Sequence, residues 1–246
     1  ISNDSLAGAT PAATYAHVND RGETAAIIQQ AFTPRYGDGV DVMIGSGRQS
    51  ITKALAAAGM EIEQVAREHG RSVLSALADV PADATRTIVL LESSDFDLDE
   101  AIRIAHRILS MNENGYFLMV ESDTHTDHIR HGLDRMAGFD RVIENTATLV
   151  GDETLVLFTA DHSFDLRLRG GSLGTPLLEG LEAAEAEAAK EDRRDIRIRS
   201  LRMDNGHTGE PVLVAAQGPG AARVRGYMDN TDVFRAMMDA FGWTPR

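Results

Sequence analysis

Three short stretches of this chain place carboxylates beside imidazoles in ways that could hold a divalent cation. The first is YFLMVESDTHTDHIRH, residues 116–131, where Glu121, Asp127, His128 and His131 crowd behind an apolar run. Asp127 and His131 are four residues apart, so a helix starting near Thr126 would set both on one face. The second is Asp161-His162 in TLVLFTADHS, and the third is His207 in NGHTGEP. Carboxylate oxygens and imidazole nitrogens are the donors that zinc and similar ions take. A single D-x-x-x-H on an exposed helix reads more simply as a solvated pair. Recurrence of the same chemistry is what points to a site.

Each cluster lies at the end of an apolar run: residues 116–120, residues 155–158 and, following His207, residues 211–216. These runs read as buried strands. Ligands in open α/β sheets collect outside strand ends, where the loops meet. Further strands are expected at 40–44 and 87–91. Helices are expected at 23–30, 50–58, 61–68, 98–111, 133–149 and 231–241. In 98–111 the expected core positions are Ile102, Ile104, Ala105 and Leu109. In 231–241 they are Val233, Phe234, Met237 and Met238. Thr10-Pro11 reads as a helix start, with Thr10 at the N-cap, Pro11 at the first helical position and the helix running to Val18. Arg21 follows Thr10 by eleven residues, about three helical turns. Strands alternating with helices argue for a mainly parallel sheet covered on both faces.

Other features carry less chemistry. Gly45-Ser46-Gly47-Arg48 follows a strand but lacks the lysine and spacing of a phosphate-binding P-loop, and reads as a structural turn. The acidic loop 92–97 reads as solvated. Residues 167–203 change character, with a glycine-rich loop, an Ala/Glu-rich helix of little apolar face and a peripheral strand around Ile196, Ile198 and Leu201. They read as a surface excursion.

Composition sets outer bounds. The 246 residues suit one large domain or two small ones, and a hydrophobic content of 43% is ample for a core. A net charge of −14 opposes nucleic acid as a partner, and no run is long enough to span a membrane as a helix. It opposes anionic substrates too, unless cations reverse the field locally. Without cysteine there are no disulfides and no thiolate ligands.

Taken in order, ATPAATYAHVNDR, FLMVE with the aspartate and histidine after it, TADHS and HTGEPV resemble the alkaline phosphatases over residues 6–243. The resemblance implies an α/β fold, a three-layer α/β/α sandwich with a mostly parallel central sheet. It implies one domain over 1–246, incomplete at its N-terminus, with the excursion at about 167–203. The implied activity is hydrolysis of phosphomonoesters through a phospho-enzyme intermediate with two zinc ions. On the family pattern Asp127, His131 and His207 hold one zinc, and Asp161 and His162 help hold the second. Glu121 and Thr10 help hold a magnesium ion. Arg21 grips the substrate phosphate, since a guanidinium fork gives parallel hydrogen bonds to phosphate oxygens. His128 stands where relatives place a cationic or imidazole side chain near the phosphate.

The sequence also departs from the family. Asp127 is six residues after Glu121 where the family has five, so His125 stands as an alternative ligand. Gly8 occupies a position where relatives often carry an acid or histidine. The family's serine or threonine nucleophile, and an aspartate bridging two metals, lie upstream of the ATPAA motif. Asp4-Ser5 stands too close to Thr10 to be that element. The expectation is therefore a larger C-terminal part, its nucleophile upstream or on another chain, and no phosphomonoester turnover by these residues alone. Expected partners are a phosphomonoester, inorganic phosphate and a second copy in a homodimer, with neither nucleic acid nor membrane. The expected location is periplasmic or secreted. A non-catalytic, metal-stabilised phosphate-binding protein and a phosphodiesterase of the wider superfamily are the alternatives.

Overall fold

The computed structural model of the protein describes residues 1–124 and 128–243. In chain order its elements are β1 (Ser2–Ser5), α1 (Ala9–Ala13), α2 (Thr24–Gln30), β2 (Val42–Ser46), α3 (Arg48–Ala57), α4 (Ile62–Glu68), β3 (Val73–Leu74), β4 (Thr87–Leu90), α5 (Leu98–Leu109) and α6 (Ile129–Val150). There follow β5 (Val156–Thr159), β6 (Ser163–Leu168), α7 (Leu181–Lys190), β7 (Ile196–Arg197), β8 (Leu201–Thr208), β9 (Val214–Gln217) and α8 (Asp232–Ala240). They divide between two compact units, residues 1–123 with 139–149, and residues 124–138 with 150–246.

The first unit is built on a parallel sheet of strand order β1-β2-β4-β3. Its layering follows from the two-residue period of a strand. Met43 pairs with Ile88 in register, and both join a core with Ile27, Ile28, Ile51, Leu55, Ile62 and Ala66 of α2, α3 and α4. Ile44 pairs with Val89, and both face the opposite core with Ala101, Ile102, Ala105 and Ile108 of α5. Helices thus cover both faces, giving the expected three-layer α/β arrangement. Each fully buried Ile, Leu or Val side chain here contributes about 1.5–3 kcal/mol of apolar burial.

Helix α5 shows how sequence sets an element. The Asp97 side chain accepts from the Glu100 N–H at 2.9 Å, and Asp99 and Glu100 place negative charge in the first turn. Its buried stripe is Ala101, Ile102, Ala105 and Ile108, with Ile104 and Leu109 only partly buried. The expected face is thus correct at Ile102 and Ala105 and rotated at its edges.

Residues 116–120 depart from the expected buried strand. They run extended along β1 but pair with it only at a parallel bridge between Ser2 and Glu121. The Glu121 N–H donates to Ile1 O at 3.0 Å. Leu118 and Val120 reach the α5-side core, whereas Phe117 is 53% exposed. Among the described residues this segment has one strand neighbour, so half of its apolar run stays outside the core.

Helix α1 also departs. Its N-cap is Gly8, Thr10 is the second helical residue, and the helix ends at Ala13. The shift has a steric cause. Gly8 N–H closes a tight turn on Ser5 O at 2.6 Å, and a Cβ at Gly8 would meet that oxygen at 2.8 Å. The turn therefore needs glycine at the cap. Because α1 is so short, Arg21 does not share a helix with Thr10.

In the second unit the pairings are antiparallel, β5 with β9 and β6-β8-β7, where alternation of strands and helices had suggested parallel neighbours. Helix α7 is less featureless than its composition suggests. Leu181 and Ala188 are buried and Ala184 partly so, at spacings that share one helical face, and they pack with Ile129, Ile196, Leu201 and Met203. Glu185 of α7 accepts the Ile129 N–H at 2.6 Å, putting a carboxylate at the N-terminus of α6. In α8 the buried residue is Ala236, while Phe234, expected inward, is 58% exposed.

Candidate metal and phosphate site

In the second unit, β5 ends at Thr159 and β6 begins at Ser163, so Asp161 and His162 occupy the tight turn between them. Strand β8 runs back along β6 with His207 opposite Phe164 and Thr208 opposite Ser163. His207 therefore lies within a strand, not at the start of the apolar run that follows it. This register brings the imidazoles of His162 and His207 together, with centroids 3.9 Å apart and planes 25° apart. Sequence spacing alone could not pair two residues that are 45 positions apart.

Hydrogen bonds around His162 fix its chemistry. Its Nδ1 lies 3.1 Å from Ser163 O, a carbonyl that can only accept, so Nδ1 carries the proton in the neutral ring. The lone pair is then on Nε2, which faces Asp161 Oδ2 at 3.4 Å. Asp161 is itself held by the His162 N–H, which donates to Oδ1 at 3.0 Å. A nitrogen lone pair opposite a carboxylate oxygen is repulsive unless a proton or a metal cation lies between. A carbonyl-anchored histidine beside a carboxylate is also how metal-binding imidazoles are oriented. The donor set thus fits a divalent ion of the zinc type. Asp161 is largely exposed and His162 about one-third exposed, so the pair is open to ions from solution.

The remaining expected ligands of this unit are not gathered by the described residues. Asp127 and the alternative His125 lie outside them. His128 precedes α6 and accepts the Gly132 N–H through its carbonyl at 3.0 Å. His131 is an exposed residue on α6. Among the described residues no three His, Asp or Glu side chains converge on one point. A cavity of about 490 Å³ in this unit is lined instead by Arg223, Arg225, Met228, Asp232, Arg235 and Asp239. It shares no residue with the expected site, and its Arg223 and Arg235 are neutralised by Asp239 and Asp232.

In the first unit Glu121 sits just beyond the apolar segment, half-buried beside β1. Ser2 Oγ donates to its Oε2. Asn3 Oδ1 accepts the Asp123 N–H at 2.6 Å, and Asn3 Nδ2 donates to Ser122 Oγ at 3.3 Å. Neither Ser2 nor Asn3 was expected to matter, because four consecutive polar residues, 2–5, carry no apolar period. Thr10 is half-buried on α1. Arg21 is exposed and, among the described residues, carries no ion pair, so its guanidinium is open to an anion. Ser5 is committed to the turn, its Oγ accepting the Ala7 N–H at 3.3 Å. The glycine loop is structural, as expected. Gly47 has φ 96° and packs against Ser5, while Arg48 donates to Leu90 O at 3.1 Å and to Glu63 at 3.0 Å.

Similarity to known proteins agrees with these motifs. The alkaline phosphatase family profile matches residues 80–199. Streptomycin-6-phosphate phosphatase of Streptomyces griseus is 28% identical over 98% of this chain and 68% of its own length. Alkaline phosphatase of Escherichia fergusonii is 30% identical over 56% of this chain, and that match spans only 30% of the relative. Among solved structures, the alkaline phosphatase of the Antarctic bacterium TAB5 superposes with a TM-score of 0.72 at 19% identity, over 99% of this chain and 71% of its own. A variant of that enzyme is described with Mg bound in its M3 site. The cold-active alkaline phosphatase of a psychrophilic Shewanella gives a TM-score of 0.66 at 22% identity, over 98% of this chain and 74% of its own. Fold, ordered motifs and these relatives agree in likening the chain to the alkaline phosphatases.

Proposed function

We propose that this chain supplies the metal and phosphate ligands of a phosphate monoester hydrolase, with zinc at Asp161, His162 and His207 and magnesium at Glu121 and Thr10. The observation that supports it most is the stacked His162–His207 pair with a carboxylate facing the Nε2 lone pair of His162. Ions bound there would act as Lewis acids on the phosphate oxygens and would lower the pKa of a bound hydroxyl or water. The chain's own residues do the rest. Ser163 O keeps the His162 imidazole protonated on Nδ1 with its Nε2 lone pair free for an ion, and the His162 backbone N–H, donating to Asp161 Oδ1, keeps the carboxylate beside it. Arg21 takes two non-bridging phosphate oxygens through its paired N–H groups and orients the ester. His128 donates a hydrogen bond to a phosphate oxygen. Asp127 and His131 complete the first zinc set with His207, and the phospho-enzyme route requires a hydroxyl nucleophile that Ser5 does not provide. In this reading 1–246 serve one function, in a periplasmic or secreted enzyme.

Zinc titration of the metal-free chain by calorimetry, beside p-nitrophenyl phosphate hydrolysis with and without chelator, tests the reading. His207→Ala and His162→Ala should each weaken zinc binding by tenfold or more, on the order expected for loss of a metal-site imidazole. Undetectable zinc binding by the unaltered chain, or identical affinity in both variants, rejects these ligands.

A further inference from the structure

We propose that Ser2 and Asn3 are positioning residues that aim the Glu121 carboxylate at a cation, an inference that rests on the ligand role given to Glu121 above. Both side chains belong to β1 and both are removed from solvent, Ser2 at 0% and Asn3 at 6% exposure. Buried polar side chains are retained only with partners, and these two spend theirs on one short segment, residues 121–123.

A serine hydroxyl has one proton to donate and two lone pairs to accept with. The Asp4 N–H donates to Ser2 Oγ at 3.0 Å and so occupies a lone pair. The single hydroxyl proton is directed to Glu121 Oε2. That bond has a fixed polarity, hydroxyl to carboxylate. It also distinguishes the two oxygens, since Oε2 is engaged and Oε1 has no hydrogen bond among the described residues. A carboxylate with one oxygen clamped and one open is a pre-aimed monodentate ligand for a hard cation such as Mg²⁺. Asn3 fixes the backbone that follows. Its side-chain oxygen takes the Asp123 N–H and its NH₂ group takes Ser122 Oγ, so residues 121–123 cannot turn about the Glu121 Cα without breaking two contacts. Asn3 is tied back to the sheet, because Ser46 Oγ donates to its carbonyl at 3.1 Å. The segment past residue 120 is thereby referenced to β1 and to the end of β2.

The test measures Mg²⁺ affinity of the full chain by calorimetry, with Mg²⁺ as the probe, for the unaltered protein, Ser2→Ala, Glu121→Gln and the double variant. Loss of the hydroxyl should weaken Mg²⁺ about tenfold, the lower end of what removing a ligand's hydrogen-bond partner does. In the Glu121→Gln background Ser2→Ala should cost nothing further, which a general structural role would not produce. If Ser2→Ala does not fold, Ser2→Thr and Ser2→Val replace it. The two share a shape and differ in the hydroxyl, so Thr should bind Mg²⁺ about tenfold more tightly than Val. A loss in Glu121→Gln with none in Ser2→Ala, or equal affinity of the Thr and Val variants, overturns the positioning role alone. Unchanged affinity in Glu121→Gln, or no Mg²⁺ binding at all, removes Glu121 as a ligand and this proposal with it.

Discussion

Gly45→Ala should uncouple β1 from the sheet, and the size of the effect follows from the packing. Gly45 lies in β2, hydrogen-bonded across to β4 and aligned with Ser2 of β1. A Cβ there would lie 2.3 Å from Ser2 O and 2.8 Å from a Leu6 methyl, both in a fully buried setting. Contact distances below 3.0 Å are not tolerated, so the two strands must part by at least ~0.7 Å at this point. The Leu6 N–H to Ser46 O bond, already 3.2 Å long, would then pass beyond hydrogen-bonding range. Overpacking of a tight core costs about 1–3 kcal/mol, and a backbone obstacle cannot rotate away, which sets the expected loss at about 3 kcal/mol. With a urea slope of roughly 2 kcal/mol per molar, the midpoint should fall by about 1.5 M. Urea melts followed by far-UV circular dichroism give the midpoint, and amide exchange at Leu6 and Glu121 reports the strand separation directly. Gly170→Ala is the control, since a Cβ there meets nothing within 4 Å and its φ is unrestrictive. It should move the midpoint by less than ~0.3 M, as surface changes do. Equal midpoints for Gly45→Ala and Gly170→Ala would refute the close strand approach.

Two smaller effects are expected in the same unit. Burial raises the Tyr15 pKa well above its ordinary value of 10.0, and its hydroxyl donates to Leu6 O at 2.7 Å. The neutral phenol is therefore favoured in the folded state. Its stabilisation is complete below pH 10 and is lost as pH rises above that toward the folded-state value, so melting temperatures should drop steeply above pH ~10. Tyr15→Phe should flatten that drop while costing about 1–2 kcal/mol at neutral pH from the unpaired carbonyl. Thr87 Oγ1 is buried in β4 with no hydrogen-bond partner among the described residues, so Thr87→Val, which keeps the shape, should raise stability by about 1 kcal/mol in the same melts.

Elements that depend on local signals were legible in the sequence, and those that depend on distant partners were not. The α5 helix announces itself through its apolar stripe, and β2 and β4 through short apolar runs. The apolar period of 116–120 looks the same as theirs, yet its burial differs because, among the described residues, β1 alone lies beside it. Nothing in the run encodes how many neighbours it will have. The start of α1 was misplaced because Thr10-Pro11 is a sound capping signal, whereas the tight turn that selects Gly8 depends on Ser5 O. At the site, Asp161-His162 could be read from adjacency. The His162–His207 contact needed the antiparallel register of β6 and β8, which no spacing rule supplies. Ser2 and Asn3 were invisible for the same reason, since their importance lies 119 and 120 residues away.

The two units place their functional residues on unequal foundations. Glu121 is referenced through Ser2, Asn3 and the Ile1 carbonyl to a parallel sheet with a core on each face, where Ile44 and Val89 are 0% exposed. Such a carboxylate is pre-organised before any ion arrives, and its cation should bind without reordering the chain. Asp161, His162 and His207 rest on the β5–β9 pair and the β6-β8-β7 sheet. The clustered core of that unit is confined to Ile129, Leu181, Ala188, Ile196, Leu201 and Met203 around α7. Around the imidazoles, strands β5 and β9 hold half-exposed residues, and Leu166, Leu168 and Leu213 face solvent. Local stability is lowest where apolar burial is sparse. An ion bound by such residues spends part of its binding energy on ordering them, and in return adds its free energy to the folded state. On the proposed ligand sets, metal affinity in the second unit would therefore be coupled to its folding, whereas in the first the fold would set the ligand geometry in advance.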